Sequence, residues 1–364
     1  MTEVLLNELS NTDIDWMTTS GHQAEMAAGK VLVEPGKPVE ALHIVIDGTL
    51  SVSVPQDDNI SSCVSAPVRV RSMTQEIIKL SSGEVVGETA FVGNHLPVIT
   101  VKTLEKSLVL SIPRSHLTTK LQQDVSFAAH FYHAIAILLS NRLRVIDSLS
   151  GNTELASNPG QVLKKVLFIL GQLSDSDIDW MMRVGSKEKI AAGTILIHQG
   201  RPVDALHMLL HGTMSVSVCH ANMTPLYRTF VEKKCEPGTI KQEVARLSSG
   251  EMLGEVSFLD NQYASAFVTC LEDCQVLSLS RNQLVAKLEM DVGFAARFYR
   301  AIAAIIEDRL RSTIIRLTYG KHTYSTGNML DADEHEDEID LDILDNTALA
   351  GARFDWILRR FRGS

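Results

Sequence analysis

The residues of this chain whose types and spacing could do chemistry form a short glycine–glutamate segment that occurs twice. It reads GEVVGE at residues 83–88 and GEMLGE at residues 250–255. Apolar residues flank both segments, so the pattern predicts a strand that ends in a tight turn built on glycines. Backbone N–H groups left open at such a turn are a common setting for binding an anion. We call these two segments the cassettes.

The cassettes belong to a longer internal repeat. The sequence DIDWM at residues 13–17 recurs at residues 177–181, and SVSV at residues 51–54 recurs at residues 215–218. Two near-copies of about 140 residues predict two similar domains rather than a short-period solenoid. We call them copy one and copy two. The predicted division is domain 1 at residues 1–148, a linker at 149–160, domain 2 at 161–320 and a C-terminal tail at 321–364.

Each copy is predicted to open with a helix and to close with a long amphipathic helix. The opening helices run from Val4 to about Ser20 and from Gln161 to about Gly185. The closing helices run from Ser115 to about Ser148 and from Arg281 to about Tyr319. Such a helix leaving a small barrel often packs against a partner helix, and it also packs against its own barrel. We therefore expect a homodimer formed through the closing helices.

Short strands are predicted between the helices of each copy. Residues 42–54 indicate a strand, a turn at Gly48 and a second strand. Serine alternates with apolar residues in the second strand, which predicts one face in the core and one face outside. Residues 55–78 and 219–245 differ between the copies and are expected to be surface hairpin tips. The predicted fold class is mainly β with flanking helices.

Composition and charge exclude several classes of protein. The chain of 364 residues is 45% hydrophobic and 21% charged, which is typical of a soluble globular protein. Its apolar runs are shorter than the roughly 18–20 residues of a membrane span, and the first residues do not resemble a secretory signal. A net charge of −10 argues against binding nucleic acid. The five cysteines lack zinc-site spacing, so we expect no metal site and cysteine thiols in a reducing cytoplasm.

The C-terminal tail has a composition of its own. Residues 331–345 carry nine carboxylates and no Lys or Arg, which is typical of a solvated tether. The last residues are basic and aromatic, and such residues make small interfaces tight. Two interpretations stay open, a terminal helix that folds back onto the body of the protein and a docking peptide for a protein partner. The candidate docking residues are Phe354, Trp356, Ile357, Arg359, Arg360, Phe361 and Arg362.

A barrel of short strands with a glycine–glutamate turn and flanking helices resembles the cyclic-nucleotide-binding domain. This domain is the sensor module of the catabolite activator protein, of kinase regulatory subunits and of gated channels. The resemblance covers roughly residues 4–146 and 168–316, including Gly48 and Gly212. It implies two tandem β-roll or jelly-roll domains, each with an N-terminal helix and a long C-terminal helix.

The resemblance also implies how a ligand would bind. In the family, the second glutamate of the cassette accepts a ribose hydroxyl, and an arginine about eight to ten residues further on pairs with the cyclic phosphate. Here the arginine position is Pro97 in copy one and Ala264 in copy two. Losing a buried charge partner of this kind costs about 2–5 kcal/mol of binding free energy. Residues 93–99 and 260–267 contain no Lys or Arg that could compensate.

Copy two keeps more of the family's pattern than copy one does, so a remaining ligand is expected in copy two. The ligand-binding candidates that the resemblance implies are Gly254, Glu255, Ser257, Ser265 and Ala266, with Gly87 and Glu88 in copy one. Structural roles compete with these. Glu88 and Glu255 could instead cap the turn by accepting backbone N–H bonds. Glu84 and Glu251 are expected at an exposed turn, and two recurring histidines are expected to be satisfied barrel residues, namely His43 and His207.

These observations favour a non-enzymatic regulatory or scaffold protein that has two degenerate cyclic-nucleotide-binding-like domains and acts through protein–protein interaction. The sequence shows no catalytic triad, metal cluster or phosphate-transfer motif. The alternative is an atypical receptor for cAMP, cGMP or a dinucleotide that signals through helix movement, with the ligand in domain 2. Such a nucleotide is the one small-molecule ligand that we expect. Nucleic acid is not expected as a partner, and the expected location is the cytoplasm.

Overall fold

The computed structural model describes residues 2–56, 73–93, 95–149, 170–219, 241–319 and 341–362. The chain divides into two compact units. Unit 1 comprises residues 1–147 and 307–329, and unit 2 comprises residues 148–306 and 330–364. The segment 307–329 therefore groups with unit 1, although it contains the end of the second closing helix.

The described part of unit 1 contains eight strands: β1 His22–Met26, β2 Val31–Val33, β3 Ala41–Asp47, β4 Leu50–Gln56, β5 Met73–Leu80, β6 Val85–Val86, β7 Thr100–Thr103 and β8 Ser107–Pro113. They form two antiparallel sheets in the orders β1-β8-β3-β6 and β2-β7-β4-β5. The helices are α1 Thr2–Glu8, α2 Asn11–Ser20, a 3₁₀ helix Glu88–Phe91, α3 Arg114–Gln123 and α4 Val125–Leu149.

The described part of unit 2 repeats this arrangement. Its strands are β9 Ser186–Ile190, β10 Ile195–Ile197, β11 Ala205–His211, β12 Met214–Cys219, β13 Lys241–Leu247, β14 Met252–Leu253, β15 Phe267–Cys270 and β16 Cys274–Ser280. The sheet orders are β14-β11-β16-β9 and β10-β15-β12-β13. The helices are α5 Asp175–Val184, α6 Glu255–Asp260, α7 Arg281–Met290, α8 Val292–Tyr319 and α9 Leu341–Arg362. The predicted tandem β-roll fold with flanking helices is confirmed.

The predicted strand–turn–strand segment of copy one is confirmed, and its glycine connects the two sheets. Gly48 lies between β3 and β4 with φ +100°, a left-handed conformation that glycine adopts without strain. The prediction that the β4 serines face outward is wrong, because Ser51 and Ser53 are buried. The Ser51 hydroxyl donates to Glu76 Oε2 at 2.7 Å, so its polar group is satisfied inside the sheet.

Each closing segment is broken into two helices, whereas the sequence analysis predicted one. In unit 1 the break lies at Asp124, between α3 and α4. The Asp124 carboxylate accepts the Phe127 backbone N–H at 3.0 Å and a hydrogen bond from Lys120 Nζ at 2.7 Å. An aspartate that caps the next helix competes with continuation of the preceding one. Asp291 does the same in unit 2.

The opening helix of copy one is also two helices rather than one. Ser10 caps α2 and forms a capping box with Asp13, whose carboxylate accepts the Ser10 backbone N–H at 2.9 Å. His130 Nδ1 lies 2.8 Å from the same carboxylate. Asp177 repeats the capping box in copy two, where Arg297 takes the place of His130. Residues 161–169 of the second predicted opening helix lie outside the described residues.

The closing helices supply the aromatic core of each unit. Phe127 and Phe131 are fully buried, and their rings stack with centroids 5.9 Å apart. Phe294 and Phe298 repeat this contact at 5.6 Å. The helical spacing of these phenylalanines therefore marks the helix face that packs on the barrel of the same unit.

Each of the two segments that differ between the copies connects a pair of antiparallel strands. Strands β4 and β5 pair antiparallel, and so do β12 and β13. Of the predicted tips at residues 55–78 and 219–245, residues 73–78 and 241–245 belong to strands β5 and β13, whereas residues 57–72 and 220–240 lie outside the described residues.

The cysteines only partly match the expectation of free thiols. Cys270 and Cys274 are buried thiols, whereas Cys219 is disulfide-bonded, which corrects the expectation for that residue. Sequence spacing alone does not reveal such a pairing. Among the described residues, no group of three or more His, Cys, Asp or Glu side chains could hold a metal ion. Within the same ranges, no helix has the length and apolar character needed to cross a membrane.

Candidate functional site

Both cassettes fold into the predicted strand and tight turn. In copy one, Gly83 and Gly87 flank β6 with φ angles of +82° and +88°, and the 3₁₀ helix begins at Glu88. A Cβ atom on Gly87 would lie 2.7 Å from the carbonyl oxygen of Ala41, so the turn accepts only glycine there. Gly254 has the equivalent conformation, with φ +86°. The predicted turns are confirmed, and the contacts of their glutamates determine what they can bind.

Glu88 is bonded to an arginine of its own unit. Arg142, in α4, donates from Nη1 to Glu88 Oε1 and from Nη2 to the carbonyl oxygen of Val85. The same guanidinium lies 3.6 Å from a carboxylate oxygen of Glu84. The exposed fractions of the Arg142 and Glu88 side chains are 11% and 5%, and charge-assisted hydrogen bonds are strong in such surroundings. The carboxylate that the resemblance assigns to a ribose hydroxyl is therefore already bound to a guanidinium.

Arg142 was not predicted from the sequence, because the resemblance places the expected cation close to the cassette. Arg142 lies 54 residues beyond Glu88 in the chain. A signal was present, since the closing helices carry the related sequences NRLR at residues 141–144 and DRLR at residues 308–311. An arginine at the same repeat position of both closing helices, next to residues of the apolar face, indicates a specific partner.

The expectation that Glu84 and Glu251 are exposed is wrong, because both are buried. Their backbone carbonyl oxygens accept N–H bonds from Val45 and Leu209, at 2.9 Å each, which ties these residues to the sheet. Burial raises the pKa of Glu84, and the neighbouring Arg142 acts in the opposite direction. Glu251 Oε2 accepts the Ser248 backbone N–H at 2.7 Å, so Glu251 caps the turn of copy two.

A cavity of about 80 Å³ lies beside the copy-one cassette. Gly87, Glu88 and Arg142 line it together with Pro97, which occupies the position where the resemblance implies an arginine. Much of the remaining wall is apolar and includes Val33, Val52, Ile78, Ile99, Leu310 and Ile314. The copy-one candidates Gly87 and Glu88 therefore line a cavity in which Arg142 is bonded to protein groups.

Glu307 also lines this cavity, and the sequence analysis did not single it out. Only 6% of this residue is exposed. The pKa of Glu307 is raised to about 7, chiefly by burial and also by the negative charges of Asp308 and Glu88, while Arg311 acts in the opposite direction. The repeat aligns Glu307 with Ser140 of copy one. A carboxylate on the apolar stripe of only one closing helix was a signal for a special environment.

Arg311 lies at the edge of the same cavity. Its Nη1 donates to the carbonyl oxygen of Leu96 at 2.6 Å, and Leu96 belongs to the loop that precedes Pro97. Arg311 therefore holds the loop in which the family's arginine would be found. Its guanidinium has a protein acceptor at this position.

The structure places three of the copy-two candidates on one turn. Gly254 precedes α6, and Glu255 and Ser257 are buried in its first residues. The Ser257 carbonyl oxygen accepts from Arg281 Nη2 at 2.7 Å. The other two candidates lie on the segment before β15, where Ser265 is exposed and Ala266 is half-buried.

The recurring histidines are satisfied barrel residues, as predicted. His43 Nδ1 lies 2.8 Å from Ser111 Oγ, and His207 Nδ1 lies 2.9 Å from Ser278 Oγ. Burial lowers the pKa of both, that of His43 to about 4. Both rings are therefore neutral at pH 7.

The C-terminal helix α9 folds back onto unit 2, which is one of the two interpretations left open above. Arg353 donates to Asp175 Oδ1 at 2.8 Å and to the carbonyl oxygens of Leu170 and Leu173 at 2.6 Å each. Ile357 is buried. These contacts anchor one face of α9 on the start of α5 and on the residues just before it.

Another part of the α9 surface remains accessible. Trp356 is 41% exposed, and the guanidinium of Arg360 lies 5.0 Å from the centre of its ring. Arg360 also donates to Asp179 Oδ1 at 2.9 Å. Arg359 is exposed and Phe354 is half-buried, whereas the side chains at positions 361 and 362 lie outside the described residues. A docking role for this face stays a prediction.

Comparison with known proteins identifies the domain type. A family model of the cyclic nucleotide-binding domain matches residues 23–124 and 187–291, which together make up more than half of the chain. The chain belongs to this family. Each matched segment covers the barrel of one copy, so the protein is a tandem cyclic nucleotide-binding domain protein, as the resemblance implied. Among curated proteins, no relative matches the chain.

Several solved structures are similar to the chain over one or both copies. The regulatory domain of Toxoplasma gondii PKA with cAMP is 15% identical, with 85% of this chain and 92% of that chain covered and a TM-score of 0.30. The regulatory subunit of a cAMP-independent protein kinase A from Trypanosoma cruzi, bound to guanosine, is 17% identical, with coverages of 88% and 89% and a TM-score of 0.29. The N-terminal domain of a transcriptional regulator from Streptomyces coelicolor is 24% identical, with coverages of 41% and 94% and a TM-score of 0.32. Likeness at this level carries no argument about ligands or partners.

Proposed function

We propose that this tandem cyclic nucleotide-binding domain protein is a non-enzymatic regulatory scaffold that acts through protein–protein interaction. The observation that supports this proposal best is the buried ion pair between Arg142 and Glu88. In this pair, an arginine of the protein binds the carboxylate that the family uses to bind the ribose. Pro97 stands where the phosphate-binding arginine would be, so this pocket lacks both polar contacts that the family uses.

Electrostatics disfavour a cyclic nucleotide in copy one. A cyclic phosphate would approach the buried carboxylates of Glu84, Glu88 and Glu307 while Arg142 is held by Glu88. Drawing Arg142 away would leave an unpaired buried carboxylate, at a cost of about 3–5 kcal/mol. That cost alone corresponds to roughly two to four powers of ten in affinity. Copy one would therefore fail to bind cAMP or cGMP at ordinary concentrations.

Partner proteins would contact helical surfaces instead. The accessible face of α9 offers Trp356 and Arg359, and tryptophan and arginine are the residues that most often dominate binding energy at interfaces. The proposal includes a homodimer through the closing helices and a cytoplasmic location.

Titration calorimetry on the full-length protein tests the proposal. We expect cAMP, cGMP and cyclic dinucleotides to give no saturable binding up to roughly 1 mM, a concentration that corresponds to about 4 kcal/mol of binding free energy. Saturable binding that disappears in Glu255→Ala and persists in Glu289→Gln would contradict it. Glu289 is exposed on α7 and serves as the matched control. Sedimentation tests the dimer, which a monomer at all concentrations would refute.

An atypical cyclic-nucleotide receptor is the second candidate, with the ligand in copy two. It is supported by the turn at Gly254, where Glu255 and Ser257 are buried at the start of α6. Ser265 and Ala266 also keep the family's residue types. A ligand there would act by shifting the populations of helix positions. The calorimetry on Glu255→Ala distinguishes this candidate from the scaffold.

A further inference from the structure

The carboxyl group of Glu307 is unusual within the described part of unit 1. Only 6% of the residue is exposed, yet no hydrogen bond or ion pair to this carboxyl group is found among the described residues. Its Oε2 would lie 2.8 Å from a Cβ atom on Gly93, so the group is packed against backbone on one side. On the other side it lines the copy-one cavity. Buried carboxyl groups normally have a partner, so this one indicates a missing donor.

The charges around the cavity select the sign of that donor. Asp308 follows Glu307 on α8 and Glu88 faces it from the cassette, and both act on Glu307 as negative charges. Of the two guanidiniums that line the cavity, Arg142 is bonded to Glu88 and Arg311 donates to Leu96. The Nη groups of both arginines therefore have protein acceptors, and His95 is the other basic side chain that lines the cavity. A group that enters next to Glu307 meets the carboxylates of Glu88 and Glu307 in the cavity wall. A positively charged hydrogen-bond donor fits this environment, and an anion does not.

The walls of the cavity define the rest of the ligand. Leu310 and Ile314 lie one and two turns beyond Glu307 on α8, and Val52 and Ile99 line the strand side. A cavity of about 80 Å³ holds roughly five to eight water-sized atoms, because one water needs about 10–15 Å³. That is the size of a short aliphatic chain or a single ring. Burying apolar atoms against these walls would contribute most of the affinity.

We propose that the copy-one cavity binds a small apolar amine, whose ammonium group pairs with the Glu307 carboxylate and whose hydrocarbon part packs against Leu310 and Ile314. This site differs from the family's nucleotide mode because its polar anchor is a carboxylate of α8 rather than the cassette. It does not depend on the scaffold function proposed above, since it concerns only the contents of this cavity. Because this ion pair would be buried, either charge without the other would be unfavourable.

Proton linkage gives this site a signature. Because the pKa of Glu307 is raised to about 7 in the empty cavity, the carboxyl group is mostly protonated at pH 6 and mostly ionised at pH 8. An ammonium ion binds the ionised form, so amine affinity should rise about tenfold between these pH values. At pH 6 binding should release a proton to the buffer. A neutral ligand of the same shape should show neither effect.

Calorimetry on the full-length protein with three probes of one shape tests the proposal. The probes are benzylamine as the cation, benzyl alcohol as the neutral analogue and benzoate as the anion, each at pH 6 and pH 8. We expect benzylamine to bind at least tenfold more tightly than benzyl alcohol at pH 8 and benzoate to bind most weakly. In Glu307→Gln the preference for the cation and its pH dependence should both disappear. Glu40→Gln, an exposed glutamate of the same unit, should behave like the unmodified protein.

Two results would overturn the proposal. One is benzylamine binding no more tightly than benzyl alcohol in the unmodified protein, and the other is a cation preference that survives in Glu307→Gln. A second variant, Leu310→Phe, fills the cavity without changing its charge. It should lower the affinity for benzylamine at least tenfold. An unchanged affinity would show that the amine binds elsewhere and would refute the site. A cAMP titration of the same samples reports separately on the proposed function.

Discussion

Arg142 and Glu88 form a buried ion pair that joins the closing helix α4 to the turn of the first cassette. The same guanidinium donates to the Val85 carbonyl oxygen, inside the strand that leads into the turn. The pair therefore fixes the helix to the segment that grips the ligand in other members of the family.

Removing one partner of this pair should destabilise unit 1. We expect Arg142→Ala to lower the free energy of unfolding by about 3–5 kcal/mol, because Glu88 would be left buried without a counter-charge. The double variant Arg142→Met with Glu88→Gln should recover most of that loss. Urea denaturation followed by circular dichroism measures both. Lys106→Ala, which breaks the exposed pair with Glu25, should change stability by less than about 1 kcal/mol. Equal effects for Arg142→Ala and Lys106→Ala would contradict the assignment.

The sequence predicted the parts of the molecule that depend on local patterns. The repeat gave two similar barrels, and the glycines at positions 48 and 87 marked turns that only glycine can adopt. Contacts between residues distant in the chain were not predictable in this way. Arg142 and Glu307 lie on helices whose apolar spacing predicts a face that packs on a core. The spacing does not predict which residues near the cassette these two side chains contact. Burial of Glu84 was missed because its backbone pairing with β3 has no local signal.

Gly87→Ala should destabilise the protein more than a glycine substitution that meets open space. The new methyl group would lie 2.7 Å from the Ala41 carbonyl oxygen, in addition to the strain of φ +88°. Gly29 has a similar φ of +81° with nothing within 4 Å, so Gly29→Ala isolates the backbone strain of about 1–2 kcal/mol. Thermal unfolding of both variants gives the cost of the contact as their difference. A smaller effect at Gly87 than at Gly29 would show that the turn can relax.

Stability should depend on pH through Glu307. Its pKa is raised to about 7 in the folded protein from an ordinary value of 4.5, so the folded state binds more protons between these values. The contribution of Glu307 is therefore fully present below pH 4.5 and is lost as the pH rises through 7. The charged groups that act on it are Asp308 and Arg311 on its own helix and Glu88 on the cassette, and His95 and Arg142 line the same cavity. Between pH 5.5 and pH 8 the unmodified protein should lose roughly 2 kcal/mol more than Glu307→Gln does. Parallel curves for the two proteins would contradict this.

Asp13 and Asp177 occupy equivalent positions in the two copies, and the side chains that bind them should stabilise their units by different amounts. Arg297 donates two bonds to Asp177, at 2.7 and 3.0 Å, whereas His130 makes one contact with Asp13 at 2.8 Å. We expect Arg297→His to destabilise unit 2 by about 1 kcal/mol and His130→Arg to leave unit 1 unchanged or slightly more stable. Burial raises the pKa of Asp177, but bonds from Arg297 and Ser174 outweigh it and lower the pKa. The stabilisation is thus present at neutral pH and is lost as acid protonates Asp177. Denaturation at pH 7 and at a series of pH values below 3.8 tests both points.

The two faces of α9 should respond differently to substitution. Ile357 is buried against unit 2, so Ile357→Asp should release the helix by placing an unpaired charge in an apolar contact. Hydrogen exchange of residues 341–362 would then become fast. Trp356 is 41% exposed, so Trp356→Ala should leave exchange nearly unchanged while weakening a partner that docks on the accessible face. A bound partner that is insensitive to both Trp356→Ala and Arg359→Ala would exclude this face as the docking surface. Loss of protection in Trp356→Ala would instead show that the tryptophan holds the helix in place.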